Sequence, residues 1–258
     1  MSTALITGAS AGIGTALARV FAEHGHDLVL VARREPLLRE LADSLHGEFG
    51  VTCTVQATDL AAEGSCRELF DRVNADGIEV EILVNNAGVL KGGAFRRSDP
   101  LDNEAMIALN IAALTRLSRL FVEPMVARGS GRIMNVASLG AFQPVPSLAV
   151  YSATKAYVLS FTEALGVELT GKGVTTTVLC PGFTDTDMVR DEQGRTPVAK
   201  SLIMPTEPVA RAGYKACMRG DAIVVPGWAN RIASSASQVA PRWLVRAVSG
   251  RAARGGRR

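Results

Sequence analysis

In VYSATKAYVLSF (150–161), Tyr151 stands four residues ahead of Lys155 in a small and apolar stretch. Read as a helix, that spacing puts both side chains on one face, pointing into one cleft. A phenol titrates near pKa ~10, too high for a base at neutral pH. An ammonium a few ångströms away favours the phenolate and is expected to lower that value. Such a pair moves protons without histidine. For these two residues alone, a packed aromatic and a surface charge would be the better reading.

A second cluster bears on the choice. TGASAGIG (7–14) follows the first apolar run. Gly8 permits a tight turn, Gly12 lets backbone approach a pyrophosphate, and Gly14 permits close helix–sheet packing. The helix that opens there presents free N–H groups to an anion. A tight turn without a ligand is the competing reading, and the Gly-x-x-x-Gly-x-Gly spacing differs from the commoner Gly-x-Gly-x-x-Gly. After the second apolar run comes VARRE, with Ala32, Arg33 and Arg34 where an acidic residue would favour NAD. A guanidinium binds a 2′-phosphate with paired hydrogen bonds, so NADP is favoured over NAD. A solvated basic loop competes with this, more strongly for Arg34 than for Arg33. GVELTGKG (166–173) scans like a phosphate loop, but it lacks the Ser or Thr for magnesium and leads from helix into strand. It reads as a helix C-terminal turn.

Positioning these residues takes alternating elements. Strand-like runs fall at 3–7, 27–32, 51–58, 79–88, 131–138, 173–182 and 221–227, with helical stretches between, such as Ile13 to His24. In the second helical stretch, leucines 37, 38, 41 and 45 are assigned to one face. Seven strands with helical crossovers predict an α/β fold, a doubly wound Rossmann-type parallel sheet with helices on both faces. One domain over 1–258 is expected, with a basic C-terminal helix or tail from about 228.

At 258 residues and 47% hydrophobic, the chain has ample core material and is no disordered protein. No signal peptide is expected from MSTALITGAS, and no uninterrupted apolar run reaches membrane-spanning length. Cys53, Cys66, Cys180 and Cys217 lie far apart, which predicts reduced thiols in the cytoplasm. His24, His26 and His46 are assigned to a turn and a helix flank, and no metal is assigned. Between Ala222 and Arg258 there are seven arginines and no acidic residue. Set against the net +3 of the whole chain, that tail of +7 leaves −4 on residues 1–221.

With TGASAGIG, NNAG (85–88), YSATK (151–155) and PGFTDT (181–186) in this order, the chain resembles the short-chain dehydrogenase/reductase family over about residues 3–227. The glycine spacing resembles its short, single-domain branch. The resemblance implies an oxidoreductase that interconverts a ketone and a secondary alcohol, with Tyr151 and Lys155 as the Tyr-x-x-x-Lys pair. It further implies Ser138 as the catalytic serine. Asn110 would complete the set by positioning a water that relays protons from the lysine. For the cofactor it implies Gly8, Ser10, Gly12, Ile13, Gly14 and Arg33 at phosphates and ribose, and Asp59 near the adenine amine. Asn86, Ala87 and Gly88 would line the ribose side, and Pro181, Gly182, Thr184 and Thr186 the nicotinamide end. Tyr151 and Lys155 also contact the cofactor in this scheme. Many NADP-binding members carry a basic residue inside the glycine loop; this chain has Ala11 there. The 2′-phosphate preference therefore falls to Arg33, with Ser10 beside it.

Finer features resemble fatty-acyl and steroid ketone reductases and their bacterial relatives. A substrate lid is expected at 183–204, with Phe183, Met188, Val189, Leu202, Ile203 and Met204 as apolar lining. Leu139, Phe142, Val145, Pro146 and Leu148 would add to it, although core packing accounts equally well for about half of these. The expected small-molecule substrate is a hydrophobic ketone or secondary alcohol, with acyl-chain and steroid-like molecules ahead of sugars. In the tail, Ile232, Val239, Trp243, Leu244 and Val248 alternate with arginines. They suggest a helix packed on the body or on a partner subunit of a homo-oligomer, with weak contact to anionic lipid as the minority reading. Nothing supports nucleic-acid binding. The rival function is a non-catalytic NADP-binding regulator or scaffold, which would not need the proton-transfer pair.

Overall fold

The computed structural model describes residues 2–189 and 202–255. Its chain runs β1 (Thr3–Thr7), α1 (Gly12–Glu23), β2 (Asp27–Ala32), α2 (Glu35–Phe49), β3 (Cys53–Ala57), α3 (Ser65–Ala75) and β4 (Val80–Asn85). Next, α4 (Pro100–Ile107) passes through a π-helical turn, Ala108–Ala113, into α5 (Leu114–Arg128). Then follow β5 (Gly131–Val136), α6 (Ala149–Glu168), β6 (Val174–Leu179), α7 (Thr206–Arg219), β7 (Ile223–Val224), α8 (Trp228–Val239) and α9 (Arg242–Gly255).

All seven strands pair in parallel, in the order β3-β2-β1-β4-β5-β6-β7. Such a sheet must be covered on both faces, which is why its inner strands are apolar runs and not alternations. On one face α1, α2 and α7 bury Leu17, Phe21, Leu38, Leu41, Leu45 and Val209. On the other, α3 and α5 bury Leu69, Val73, Leu117, Phe121 and Met125. Leu37 does not join its neighbours. Adjacent helical residues point about 100° apart, so with Leu38 inward Leu37 faces solvent. The unbroken helix Pro100–Arg128 is long and apolar enough to cross a membrane by length and composition. Here it packs on the sheet, with Met106, Leu117, Phe121 and Met125 buried.

The strand-like runs expected from the sequence outlast the strands observed. At 86–88, 137–138 and 180–182 the chain leaves the sheet just past a strand end, and β7 keeps only two residues. These overhangs gather outside the carboxyl ends of the strands. The order reverses between β1 and β4, so a crevice opens there. Thr7, which sequence reasoning passed over, ties its two sides. Its Oγ1 donates to the Val84 carbonyl at 3.2 Å and accepts from the N–H groups of Asn86 and Ala87 at 3.0 and 2.9 Å. The stretch 166–173 forms the end of α6 and a turn into β6, as expected of a helix C-terminus.

The tail forms two helices on either side of Pro241. Among its expected packing residues, Ile232, Val239, Trp243, Leu244 and Val248 are exposed; Val245 is the one large apolar side chain of α9 buried among those described. Arg257 and Arg258 lie outside the described residues. His26 is buried, its ring nitrogens 2.7 Å from Ser2 Oγ and 3.1 Å from the Tyr214 hydroxyl. All four cysteines are free thiols.

Candidate active site

A cleft of about 390 Å³ lies across the carboxyl ends of the strands. Its floor is the turn between β1 and α1. Gly8 sits at φ +68, and a Cβ there would come within 2.9 Å of Ala87 Cα; at Gly12, φ +57, it would meet Thr186 Cγ2 at 2.8 Å. Only glycine keeps this turn low enough for a ligand to lie on backbone. No side chain caps the first turn of α1, and Ala11 precedes it in extended conformation, so the leading N–H groups face the cleft. That cradle fits a pyrophosphate. Gly14 does not line the cleft. A Cβ there would fall 2.1 Å from the Gly8 carbonyl oxygen, so it serves packing, as its position in the turn predicts.

Ser10, Ile13, Arg33, Asp59, Asn86, Ala87, Gly88, Pro181, Gly182, Thr184 and Thr186 all line the cleft. Asp59 accepts a hydrogen bond from the Ala61 N–H at 3.1 Å, which fixes its carboxylate at the end of β3. Asn86 donates to the carbonyls of Thr7 and Gly8 at 2.9 and 3.3 Å, stitching β4 to the glycine turn. Arg34, read from sequence as the more solvated of the two arginines, also lines the cleft. Its Nη2 donates to the carbonyl and hydroxyl oxygens of Ser10 at 3.4 and 3.3 Å. Arg33 makes no hydrogen bond or ion pair with a described residue. Two guanidinium groups, not one, therefore stand at the end of β2. The doublet Arg-Arg was the available signal.

At the other end, Ser138, Tyr151 and Lys155 line the same cleft. Ser138 caps a short turn, its Oγ accepting from the Gly140 N–H at 3.1 Å. The first turns of α6 put Tyr151 and Lys155 on one side, with Lys155 Nζ 5.8 Å from the centre of the phenol ring. Nζ donates to the Val136 carbonyl at 2.8 Å.

The electrostatics depart from expectation. Burial raises the Tyr151 pKa above its ordinary value, and the opposing influence is its hydrogen bond with Ser138, not the ammonium. Burial also pushes Lys155 down, to about 8. Desolvation acts on both groups because the protein wall surrounds them, and Nζ points toward a backbone carbonyl rather than toward the phenol oxygen.

Asn110 is buried in the π-helical turn and does not line the cleft. Its amide accepts from the Val89 N–H and donates to the Val89 carbonyl, both at 2.9 Å, and donates to Thr154 Oγ1 at 3.2 Å. It clamps the segment after β4 against the helix that carries Lys155.

The expected apolar lining divides. Met188 lines the cleft, and Phe183 and Leu202 are exposed. Phe142 belongs to the core with Val158 and Val178, and Leu139 packs against that cluster. Met204 packs against the main core beyond its bridge to Thr184. Val145 and Leu148 are half-buried and Pro146 exposed. Residues 190–201 of the expected lid, and the Val189 side chain, lie outside the described residues.

Comparison with known proteins identifies the family and the fold. The family model "short chain dehydrogenase" matches residues 2–196. The oxidoreductase UcpA of Escherichia coli is 34% identical over 80% of this chain and 74% of its own. A short-chain dehydrogenase from Sphingobium yanoikuyae, solved in complex with NADPH, superposes with a TM-score of 0.79 at 34% identity, covering 99% of this chain and 94% of that one. A bulky-bulky ketone specific alcohol dehydrogenase from Comamonas testosteroni gives 0.78 at 31% identity, covering 100% and 95%.

Proposed function

The chain belongs to the short-chain dehydrogenase/reductase family of oxidoreductases, and on that footing we propose that it is an NADP(H)-dependent enzyme interconverting hydrophobic ketones and secondary alcohols. The observation that carries this reading is the convergence of Ser138, Tyr151 and Lys155 on the cleft that also holds the glycine cradle and two arginines. The bound NADPH of the Sphingobium protein and the bulky ketones of the Comamonas enzyme support it. A binder without turnover would leave the three proton-handling groups without a task.

Gly8, Gly12 and the first N–H groups of α1 would hold the pyrophosphate, with Arg33 and Arg34 at the 2′-phosphate and Asp59 near the adenine. Thr184 and Thr186 flank the other end. Bound there, NADPH would supply the hydride that reduces a carbonyl carbon. Tyr151 donates its proton to the carbonyl oxygen, and Ser138 hydrogen-bonds the same oxygen. Burial keeps the phenol protonated at neutral pH, which is the state a proton donor needs. Lys155 offers its ammonium to ribose hydroxyls and, as the phenol loses its proton, stabilises the phenolate. Asn110, by clamping Val89 and Thr154, orders the route by which water returns a proton to Lys155. The enzyme is read as a single catalytic domain, cytoplasmic and homo-oligomeric.

Absorbance at the nicotinamide band tests the whole reading with NADPH and then NADH, against bulky apolar ketones and polar polyols. NADPH with apolar ketones should give the higher rates. Tyr151→Phe should lower turnover at least ~10²-fold while NADPH still binds. Near-normal turnover in that variant, or a preference for polyols, would defeat it.

A further inference from the structure

The last two described helices, α8 and α9, are turned the wrong way for a soluble surface. On α8 the residues facing the body are Ser234 and Ser237, whose hydroxyls are spent on the carbonyls of Arg231 and Ser234. The face opposite carries Trp228, Ile232 and Val239, exposed by 78%, 61% and 86%. These three fall at i, i+4 and i+11, one stripe along the helix. On α9, Val245 faces inward while Trp243, Leu244 and Val248 are exposed. An apolar stripe of this extent needs a cover.

Charge identifies the cover. Arg231, Arg242, Arg246 and Arg251 are exposed around the stripe, and no acidic residue occurs from Ala222 to the end of the chain. None of these arginines pairs with a carboxylate among the described residues. A second copy seated on the same patch would set these arginines against their own equivalents, because a two-fold contact brings like surface to like. An anionic surface neutralises them. Tryptophan and arginine around an apolar stripe is the composition of a helix lying in a membrane interface. Asn230, in the first turn of α8, packs against Gly182 of the cleft and lies 3.7 Å from Met204 Sδ. The first turn of α8 therefore lies beside the rim of the cleft.

We propose that α8 and α9 dock this protein on bilayers containing anionic phospholipid, with Trp228, Ile232, Val239, Trp243 and Val248 entering the interface and the arginines meeting headgroups. The inference does not depend on which reaction the cleft performs. The chain's two tryptophans are Trp228 and Trp243, so its indole fluorescence reports on this patch alone.

The test mixes the full chain with vesicles of phosphatidylcholine, either alone or with phosphatidylglycerol added, and reads sedimentation and tryptophan emission. Binding to the phosphatidylglycerol vesicles should be at least ~10-fold tighter than to phosphatidylcholine alone and should weaken with salt, and emission should shift to the blue on binding. Combining Ile232→Ser, Val239→Ser and Val248→Ser should reduce binding by ~10-fold or more. Should that variant fail to fold, Arg242→Gln with Arg246→Gln and Arg251→Gln should show a similar loss. Absence of sedimentation, or equal binding to both vesicle types, overturns the proposal. So does emission already blue in solution in a dimer that the serine variant dissociates, since a second copy would then be the cover.

Discussion

Lys155 shows what burying an ammonium beside the cleft costs the fold. Its ammonium is pushed from an ordinary 10.5 to about 8 by burial, an opposition to folding of about 3 kcal/mol at neutral pH. The sign follows from proton counting. Between about pH 8 and 10.5 the unfolded chain holds this proton more often than the folded one, so the penalty is full below pH 8 and fades as pH rises. Lys155→Met removes that penalty but leaves the Val136 carbonyl without its donor, a loss of ~1–3 kcal/mol. The two nearly cancel. Scanning calorimetry of the cofactor-free variant at pH 7 should find a Tm within about 3 °C of the parent, while turnover falls at least ~10²-fold. A drop of ten degrees or more would make Lys155 a structural prop. The arginine pair makes a separate prediction. Arg33→Ala and Arg34→Ala should each weaken NADPH by roughly 10-fold, the worth of a charge-assisted hydrogen bond, and leave NADH nearly unchanged. Equal losses for both nucleotides in a binding titration would remove the guanidinium groups from the 2′-phosphate.

Within the turn from β1 to α1, glycines of similar appearance do different work. Gly12 has positive φ and lies open to the cleft, with Thr186 beside it. Gly14 has helical φ and no room, because its missing Cβ points at the Gly8 carbonyl and the Asn86 amide. Gly14→Ala should therefore cost about 1–3 kcal/mol through overpacking, seen as a Tm lower by roughly 2–10 °C. Gly12→Ala should act mainly on nucleotide affinity, with a smaller loss of stability. The reverse ranking would mean that the cradle has been placed on the wrong glycine. Local chemistry made this turn readable from sequence, since its glycines fall between the first apolar run and a helical stretch within a few residues of one another. Thr7 was not readable in the same way. Its role depends on β4 arriving beside β1 from nearly eighty residues away, and one threonine at a strand end carries no mark of that.

Across the molecule, legibility follows the range of the interactions. Strand runs and their parallel pairing were visible because burial on both faces demands continuous apolar residues. The exit points at 86–88, 137–138 and 180–182 were not, because the strand-like runs pass into Asn-Ala-Gly, Ala-Ser and Cys-Pro-Gly without a residue that marks where pairing stops. Nor was the state of Tyr151, where charge spacing suggested a lowered pKa and only the surrounding wall shows the opposite. His26 is a further case, since a histidine beside a glycine turn reads as solvent-facing. Instead it joins three parts of the chain: Ser2 ahead of β1, its own place ahead of β2, and Tyr214 on α7, with the Phe21 ring at its edge. Burial lowers its pKa, with His24 and Arg132 acting in the same direction and Ser2 and Glu81 against it. A histidine depressed in this way is neutral in the folded protein and takes up its proton more readily when unfolded. The stability it contributes is thus present above its ordinary 6.5 and declines as pH falls below that value. Thermal unfolding measured from pH 7.5 to 5 should show a falling Tm, and His26→Gln should be less stable at pH 7.5 but flatter over the same range. Parallel slopes for the two proteins would show that the acid sensitivity arises elsewhere.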